Sequence, residues 1–171
     1  MTVRNPARAA FATGALIVCA AGAAEDSSAP LPVDVARGRY LVQVAGCNDC
    51  HTEGYALAGG QIDESKWLLG DALGWRGPWG TTYASNLRLS AKDRTADEFL
   101  ALARGPMRPP MPFFNLRAMT DADVKAIYAY LKHLGPAGTP APAYVPPGQT
   151  PAGPYIQFPE PPPAEQRAAK P

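Results

Sequence analysis

Hydrophobic residues recur at helical spacing in residues 121–134, which predicts the most clearly marked helix of the chain. Its apolar positions fall on one side of a helical wheel and comprise Val124, Ile127, Tyr128, Leu131 and Leu134. Thr120 is a typical N-cap with Asp123 at the capping-box position, and Gly135–Pro136 ends the segment. We therefore expect a helix over 121–134 that buries this side. His133 lies on the opposite side, where it would face solvent.

Two further segments predict helices. In residues 33–46 the apolar positions at helical spacing are Val33, Ala36, Tyr40 and Val44. The other segment begins with a Thr95-x-x-Glu98 capping box, ends at Gly105–Pro106, and has apolar Phe99, Leu102 and Ala103. Between these helices, the stretch "GTTYASNLR" at 80–88 predicts at most a short strand or hairpin.

The N-terminal segment is typical of a secretory signal peptide. Residues 1–24 place Arg4 and Arg8 before an apolar run and then small residues. The small residues suit cleavage, and the run is shorter than the ~20 residues that span a bilayer, so we expect cleavage and no stable membrane insertion rather than an uncleaved anchor. Residues 25–32 would form a short linker. The expected location is the periplasm or the medium.

The C-terminal segment is dominated by proline. Residues 136–171 hold 12 of the 20 prolines, which excludes a long helix and predicts an extended tail. Apolar residues interrupt the prolines, namely Tyr144, Val145, Tyr155, Ile156 and Phe158. We therefore expect part of residues 136–160 to lie against the domain rather than in solvent.

Composition and charge narrow the class of protein. A chain of 171 residues, 46% of them hydrophobic, suits one globular domain. Removal of Arg4 and Arg8 with the signal changes the formal net charge from +1 to −1, which gives no indication of nucleic-acid binding. Cys19 would be removed too, leaving Cys47 and Cys50 in an oxidising compartment.

The motif "CNDCH", residues 47–51, is compatible with a redox dithiol, part of a zinc site or a haem anchor. A thioredoxin-type dithiol needs a preceding strand, whereas the residues before Cys47 have helical spacing. A structural zinc site needs four ligands, and His133 is the remaining candidate although it is expected to face solvent. Haem attachment needs no residue from elsewhere in the chain, since Cys47 and Cys50 can each add to a vinyl group while His51 reaches the iron. The motif therefore favours covalently bound haem c.

Over residues 33–135 the chain resembles the monohaem class I cytochromes c. The resemblance is carried by "RGRYLVQVAGCNDCH", "LAGG", "GTTYASNL" and "MPFFNLRAMTDADVKAIYAYLKHLG". More narrowly, the chain is similar to the cytochrome c modules of bacterial periplasmic dehydrogenases, in which a Met-Pro pair precedes the last helix. The resemblance implies an all-α fold, with the first helix leading into the haem motif and crossing the last helix, followed here by the extended tail.

Three methionines precede or flank the last helix. Met119 lies just before Thr120 and is expected to pack against Val124 as a hydrophobic staple. Met107 and Met111 both lie in a proline-rich loop, and the residues alone leave either open as the second iron ligand. The resemblance implies Met111, because Pro112 follows it. The carbonyl that accepts the His51 ring N–H is expected near residues 58–60.

Ligation by His51 and Met111 would leave no iron position for a substrate, which is typical of an electron carrier rather than an enzyme. The resemblance implies a redox partner: a dehydrogenase or membrane complex on one side and an oxidase or other acceptor on the other. The alternative is a haem enzyme or small-ligand sensor with an open or displaceable sixth position. Near the methionines, Arg104, Arg108 and Arg117 are expected either to form a basic docking rim for an acidic partner or to pair with haem propionates or keep the loop soluble.

Overall fold

The computed structural model describes residues 1–2 and 31–160. The expected signal peptide and nearly all of the linker lie outside these residues, as do residues 161–171. The helices are α1 (Val33–Val44), α2 (Cys47–His51), α3 (Leu87–Lys92), α4 (Ala96–Arg104), α5 (Phe113–Ala118) and α6 (Asp121–Leu134), with a 3-10 turn at Glu64–Lys66. The strands are β1 (Gly74–Gly77), β2 (Gly80–Tyr83) and β3 (Tyr155–Gln157). None of the helices between residues 31 and 160 combines the length and apolar composition needed to span a bilayer.

The crossing of α1 and α6 forms the centre of the core. Gly38 on α1 makes this close approach possible, because a Cβ at this position would lie 2.0 Å from the Ala126 carbonyl oxygen. Leu41 and Val42 of α1 are buried beside it. This crossing fixes the direction in which α1 enters the CNDCH motif.

The buried face of α1 differs from the prediction. Val33, Tyr40 and Val44 are 83%, 53% and 60% exposed, and Ala36 is exposed as well. The physical reason is that α1 contacts α6 through Gly38. Because glycine has no side chain, this position is not counted as hydrophobic in the sequence pattern. The prediction of a helix at 33–46 is confirmed to within two residues, whereas its proposed apolar face is wrong.

Helices α4 and α6 match their predictions closely. Thr95 and Glu98 form the reciprocal capping box of α4. The Thr120 hydroxyl accepts a hydrogen bond from the Asp123 N–H at the start of α6. Val124, Ile127 and Leu131 are buried and His133 is exposed, as expected from the helical wheel.

The all-α expectation is wrong, because the described chain contains a three-stranded mixed sheet in the order β2-β1-β3. Strands β1 and β2 form an antiparallel hairpin, and β3 pairs parallel with β1. The strands are only three or four residues long. The parallel partner comes from the proline-rich tail, so the third strand depends on a distant pairing that local sequence patterns do not reveal.

Part of the tail packs against the domain, as its apolar residues predicted. Besides contributing β3, it forms an isolated antiparallel bridge between Val145 and Thr81. The Phe158 ring lies 5.2 Å from the Trp79 ring and 6.1 Å from the Trp75 ring. The tryptophan-containing hairpin and the tail therefore stabilise each other through aromatic packing.

Candidate functional site

The structure brings Cys47, Cys50 and His51 together within the single short helix α2. Gly46, in the left-handed conformation, separates α2 from α1. Residues at positions i and i+3 of a helix lie on the same side, so the two thiols are neighbours. Both are free thiols and both are half-buried. A group that bonds to both sulfur atoms therefore meets them on one side of α2, next to the histidine.

The His51 imidazole is held in one orientation and one tautomer. His51 is 7% exposed, and its ring Nδ1 lies 2.7 Å from the Ser85 carbonyl oxygen. A carbonyl can only accept a hydrogen bond, so Nδ1 carries the proton and Nε2 keeps its lone pair. Burial lowers the pKa of His51, although the bond to Ser85 acts in the opposite direction. At neutral pH His51 is thus a neutral imidazole with Nε2 available for a metal.

Ser85 replaces the acceptor that the sequence placed near residues 58–60, and that expectation is wrong. Ser85 precedes Asn86, a buried residue whose Oδ1 caps α3 by accepting from the Leu89 N–H. The Asn86 Nδ2 group donates to the carbonyl oxygens of Ala137 and Thr139 in the tail, at 2.8 and 3.2 Å. The side chain of Asn86 therefore anchors the loop that positions the histidine.

Hydrogen bonds from residues 68–70 also hold the C-terminal end of α2 in place. The His51 carbonyl oxygen accepts from the Gly70 N–H at 2.8 Å. The next residue, Thr52, is buried, and its hydroxyl donates to Asn48 Oδ1 and accepts from the Leu68 N–H, each at 2.8 Å. These contacts hold the motif between the core and residues 68–70.

The thiol environment does not favour a redox dithiol. Burial, followed by the charge of Asp49, raises the pKa of the Cys47 thiol to about 11. Burial also raises the pKa of Cys50. Reactive dithiols instead carry a thiol whose pKa is depressed so that it ionises near neutral pH. The two thiols fit a covalently attached group better than thiol–disulfide exchange.

The zinc interpretation finds no support either. Among the residues that the structure describes, no three His, Cys, Asp or Glu side chains cluster as a metal site would require. His133 is exposed on α6, as the sequence predicted. It therefore supplies no fourth ligand.

Met111 lies half-buried in the loop of residues 105–112, called the methionine loop below, which joins α4 to α5. Its N–H donates to the Arg108 carbonyl oxygen, and its own carbonyl accepts from the Phe113 N–H at 2.8 Å. Met107 is half-buried in the same loop. Met119 packs against the core cluster, as a staple residue should. The choice of Met111 over Met107 stays a prediction.

The three arginines near this loop have different roles. Arg104 donates to the Leu116 and Met119 carbonyl oxygens and pairs with Asp121 at 2.7 Å, so it ties α4 to the end of α5 and the start of α6. Arg108 and Arg117 are exposed. Only these two remain candidates for a basic docking rim.

The comparisons with known proteins agree on one family. The cytochrome c family model matches residues 35–135. The chain is 28% identical to the fructose dehydrogenase cytochrome subunit of Gluconobacter japonicus over 158 residues, 81% of this chain and 30% of the relative. It is 30% identical to the gluconate 2-dehydrogenase cytochrome c subunit of Pantoea cypripedii over 110 residues, 58% of this chain and 23% of the relative.

A third relative is the cytochrome c subunit of the quinone-dependent alcohol dehydrogenase of Gluconobacter oxydans, 27% identical over 112 residues, 58% of this chain and 21% of the relative. The chain thus spans less than a third of the length of these relatives. No solved structure matches it significantly.

These relatives confirm the resemblance to cytochrome c modules of bacterial dehydrogenases. The family carries covalently attached haem c, and the donor set of two adjacent thiols followed by an imidazole with a free Nε2 fits that group. From the family match and this agreement of spacing and geometry it follows that the chain belongs to the cytochrome c family.

Proposed function

We propose that the chain is an exported one-electron carrier with a single haem c. Cys47 and Cys50 would supply the two thioether bonds that hold the haem, and His51 Nε2 would bind its iron. Met111 would supply the second protein ligand of the iron. Haem c bound there supplies a single one-electron iron couple. The observation that carries the proposal is the bond from His51 Nδ1 to the Ser85 carbonyl oxygen, because it presents Nε2 as a ligand beside the two thiols.

The protein's own residues determine how such a site behaves. Hydrogen bonding at Nδ1 fixes the ring plane of His51 and increases the basicity of Nε2. A thioether from Met111 is a soft ligand that favours the reduced metal and occupies the position that a substrate would need. Histidine and methionine ligation therefore supports electron transfer rather than catalysis at the iron.

The partner is proposed from the relatives. Fructose dehydrogenase and gluconate 2-dehydrogenase both appear in the names of relatives, whose matches cover 81% and 58% of this chain. We propose that a periplasmic dehydrogenase donates electrons to this protein, either as a separate enzyme or as a complex of which the chain is a subunit. A membrane complex, an oxidase or another acceptor would then receive them.

Covalent attachment is tested by replacing the two cysteines. Cys47→Ala together with Cys50→Ala should abolish the haem-stained band on denaturing gels, because both thioether bonds are lost. Gln43→Ala, an exposed position on α1, is a control for expression and export. Retention of the stained band in the double variant would contradict the attachment.

Axial ligation is tested by comparing two methionines of one loop. The oxidised protein should show the weak long-wavelength sulfur-to-iron band, and Met111→Ala should lose it and bind small ligands. Met107→Ala should keep the band. If the effects are exchanged, Met107 is the ligand. An oxidised wild-type protein that lacks the band and binds small ligands freely would instead support the haem enzyme or sensor.

A further inference from the structure

Two contacts reach the methionine loop from other parts of the fold. The Thr82 hydroxyl of β2 donates to the Pro109 carbonyl oxygen at 2.7 Å. The Arg108 guanidinium lies 4.1 Å from the ring centroid of Tyr144, which belongs to the proline-rich tail. Pro109 and Arg108 are two and three positions before Met111. Both contacts therefore act on the part of the loop that leads directly into the proposed ligand.

Tyr144 is itself firmly placed. Its hydroxyl donates to the Trp79 carbonyl oxygen at 2.7 Å. The next residue, Val145, exchanges two backbone hydrogen bonds with Thr81, at 2.8 and 3.0 Å. Because of these bonds the tail cannot swing away without breaking its pairing with β2.

The close approach of the tail depends on Gly80. A Cβ at Gly80 would lie 2.4 Å from the Val145 carbonyl oxygen and 3.0 Å from the Tyr144 ring. Its φ of 94° is also one that side chains rarely permit. The absence of a side chain at Gly80 thus lets the tail pack closely against the hairpin.

We call Thr82, Tyr144 and Arg108 the loop clamp.

We infer that the loop clamp positions the methionine loop, with the C-terminal tail acting through Tyr144 and the sheet through Thr82. Neither Thr82 nor Tyr144 is an iron ligand. Each restricts the conformations of residues 108–110 and so keeps Met111 in place against competing ligands. The inference rests on the proposed function, because it assumes that Met111 ligates the iron.

The test is an imidazole titration of the oxidised holoprotein followed by absorption. Imidazole binds only when the methionine has dissociated, so its apparent affinity rises with the fraction of protein in which the loop is open. Loss of an exposed cation–π contact in Tyr144→Leu should increase imidazole affinity about two- to fivefold. Thr82→Val, which removes the hydroxyl at nearly constant shape, should increase it on the order of fivefold.

Hydrogen exchange of the holoprotein gives a second readout that does not depend on a competing ligand. Amides of residues 107–113 should exchange faster in both variants. A merely global loss of stability would accelerate exchange in α6 as well. The effect of the clamp is therefore distinguished by its restriction to the methionine loop.

Matched controls come from the same sheet. Tyr155 on β3 also stacks on an arginine, with the Arg76 guanidinium 5.2 Å from its ring, so Tyr155→Leu removes an equivalent contact at another place. Tyr144→Phe removes the hydroxyl bond to Trp79 but keeps the ring under Arg108. Arg108→Gln should reproduce the part of the Tyr144→Leu effect that exceeds the effect of Tyr144→Phe, because both changes remove the same cation–π contact.

The possible outcomes distinguish failure of the loop clamp from failure of the Met111 ligand assignment. Tighter imidazole binding and faster loop exchange in Thr82→Val and Tyr144→Leu, with Tyr155→Leu unchanged, support the clamp. Wild-type behaviour of Tyr144→Leu and Arg108→Gln, alongside strong imidazole binding by Met111→Ala, overturns the clamp while the ligand assignment stands. If Met111→Ala neither loses the sulfur-to-iron band nor gains imidazole affinity, the ligand assignment fails, and the clamp fails with it.

Discussion

Gly38→Ala tests the packing that delivers the CNDCH motif to its position. Helix propensity alone predicts stabilisation, since alanine is favoured over glycine in a helix interior by about 1 kcal/mol. The structure predicts the opposite. The new Cβ would lie 2.0 Å from the Ala126 carbonyl oxygen and 2.8 Å from the Tyr130 Cβ, so the crossing of α1 and α6 must widen.

The magnitude follows from comparing these two effects. Overpacking of a core typically costs about 1–3 kcal/mol. The upper end of that range applies, because the nearest atoms are backbone atoms of α6 that cannot rotate away. Subtracting the propensity gain leaves a net loss of about 2 kcal/mol in unfolding free energy. For a domain of this size, the expected fall in Tm is about 6–10 °C.

The assay is thermal unfolding of the purified holoprotein followed by far-ultraviolet circular dichroism. Gln43→Ala, on the exposed side of the same helix, should change the unfolding free energy by no more than about 0.5 kcal/mol. A Gly38→Ala protein with an unchanged or raised Tm would refute the close crossing as described.

Two further predictions concern charge. Hydrogen bonds from Arg39, and secondarily from Tyr130, hold the pKa of Glu64 below its ordinary 4.5, so Glu64 stabilises the native protein above that pH and loses this effect as pH falls through its folded pKa. The stability difference between wild type and Glu64→Gln should therefore shrink in denaturant titrations below pH 4.5, and a constant difference would contradict this. Arg117 is exposed and belongs to the proposed docking rim, so reduction by the native donor should slow as salt rises, and Arg117→Glu should slow it further at low salt without altering the spectrum. A rate that is indifferent to both changes would point to Phe114, which is 63% exposed, as the docking surface instead.

The sequence predicted best those features that depend on residues close together in the chain. Thr95 with Glu98 and Thr120 with Asp123 mark the beginnings of α4 and α6, and both caps are present in the structure. The CNDCH spacing likewise brings its side chains together because one helical turn is enough to do so. Such features depend on residues three or four positions apart, and a sequence shows these directly.

The features that the sequence did not predict depend on a backbone carbonyl, an absent side chain or a distant strand. None of these is visible in the local sequence pattern. Ser85 acts through its backbone carbonyl, which any residue could supply, so its identity carries no signal. Gly38 contributes to the core by what it lacks. The parallel pairing of β1 with β3 joins the hairpin to a proline-rich segment about eighty residues away, in strands too short to show alternation. Residues 80–88 predict a short strand or hairpin, which β2 confirms, but recognising β3 would have required knowing where the tail lies.

Spectroelectrochemical titration of the purified holoprotein tests whether the chain carries one haem with histidine and methionine ligation. We predict a single one-electron transition in which the sulfur-to-iron band of the oxidised form disappears on reduction and returns on reoxidation. Met111→Ala should lack the band and show a lower potential, because the soft ligand that favours the reduced iron has been removed. More than one transition, or an oxidised form with no sulfur-to-iron band, would contradict a single haem with histidine and methionine ligation.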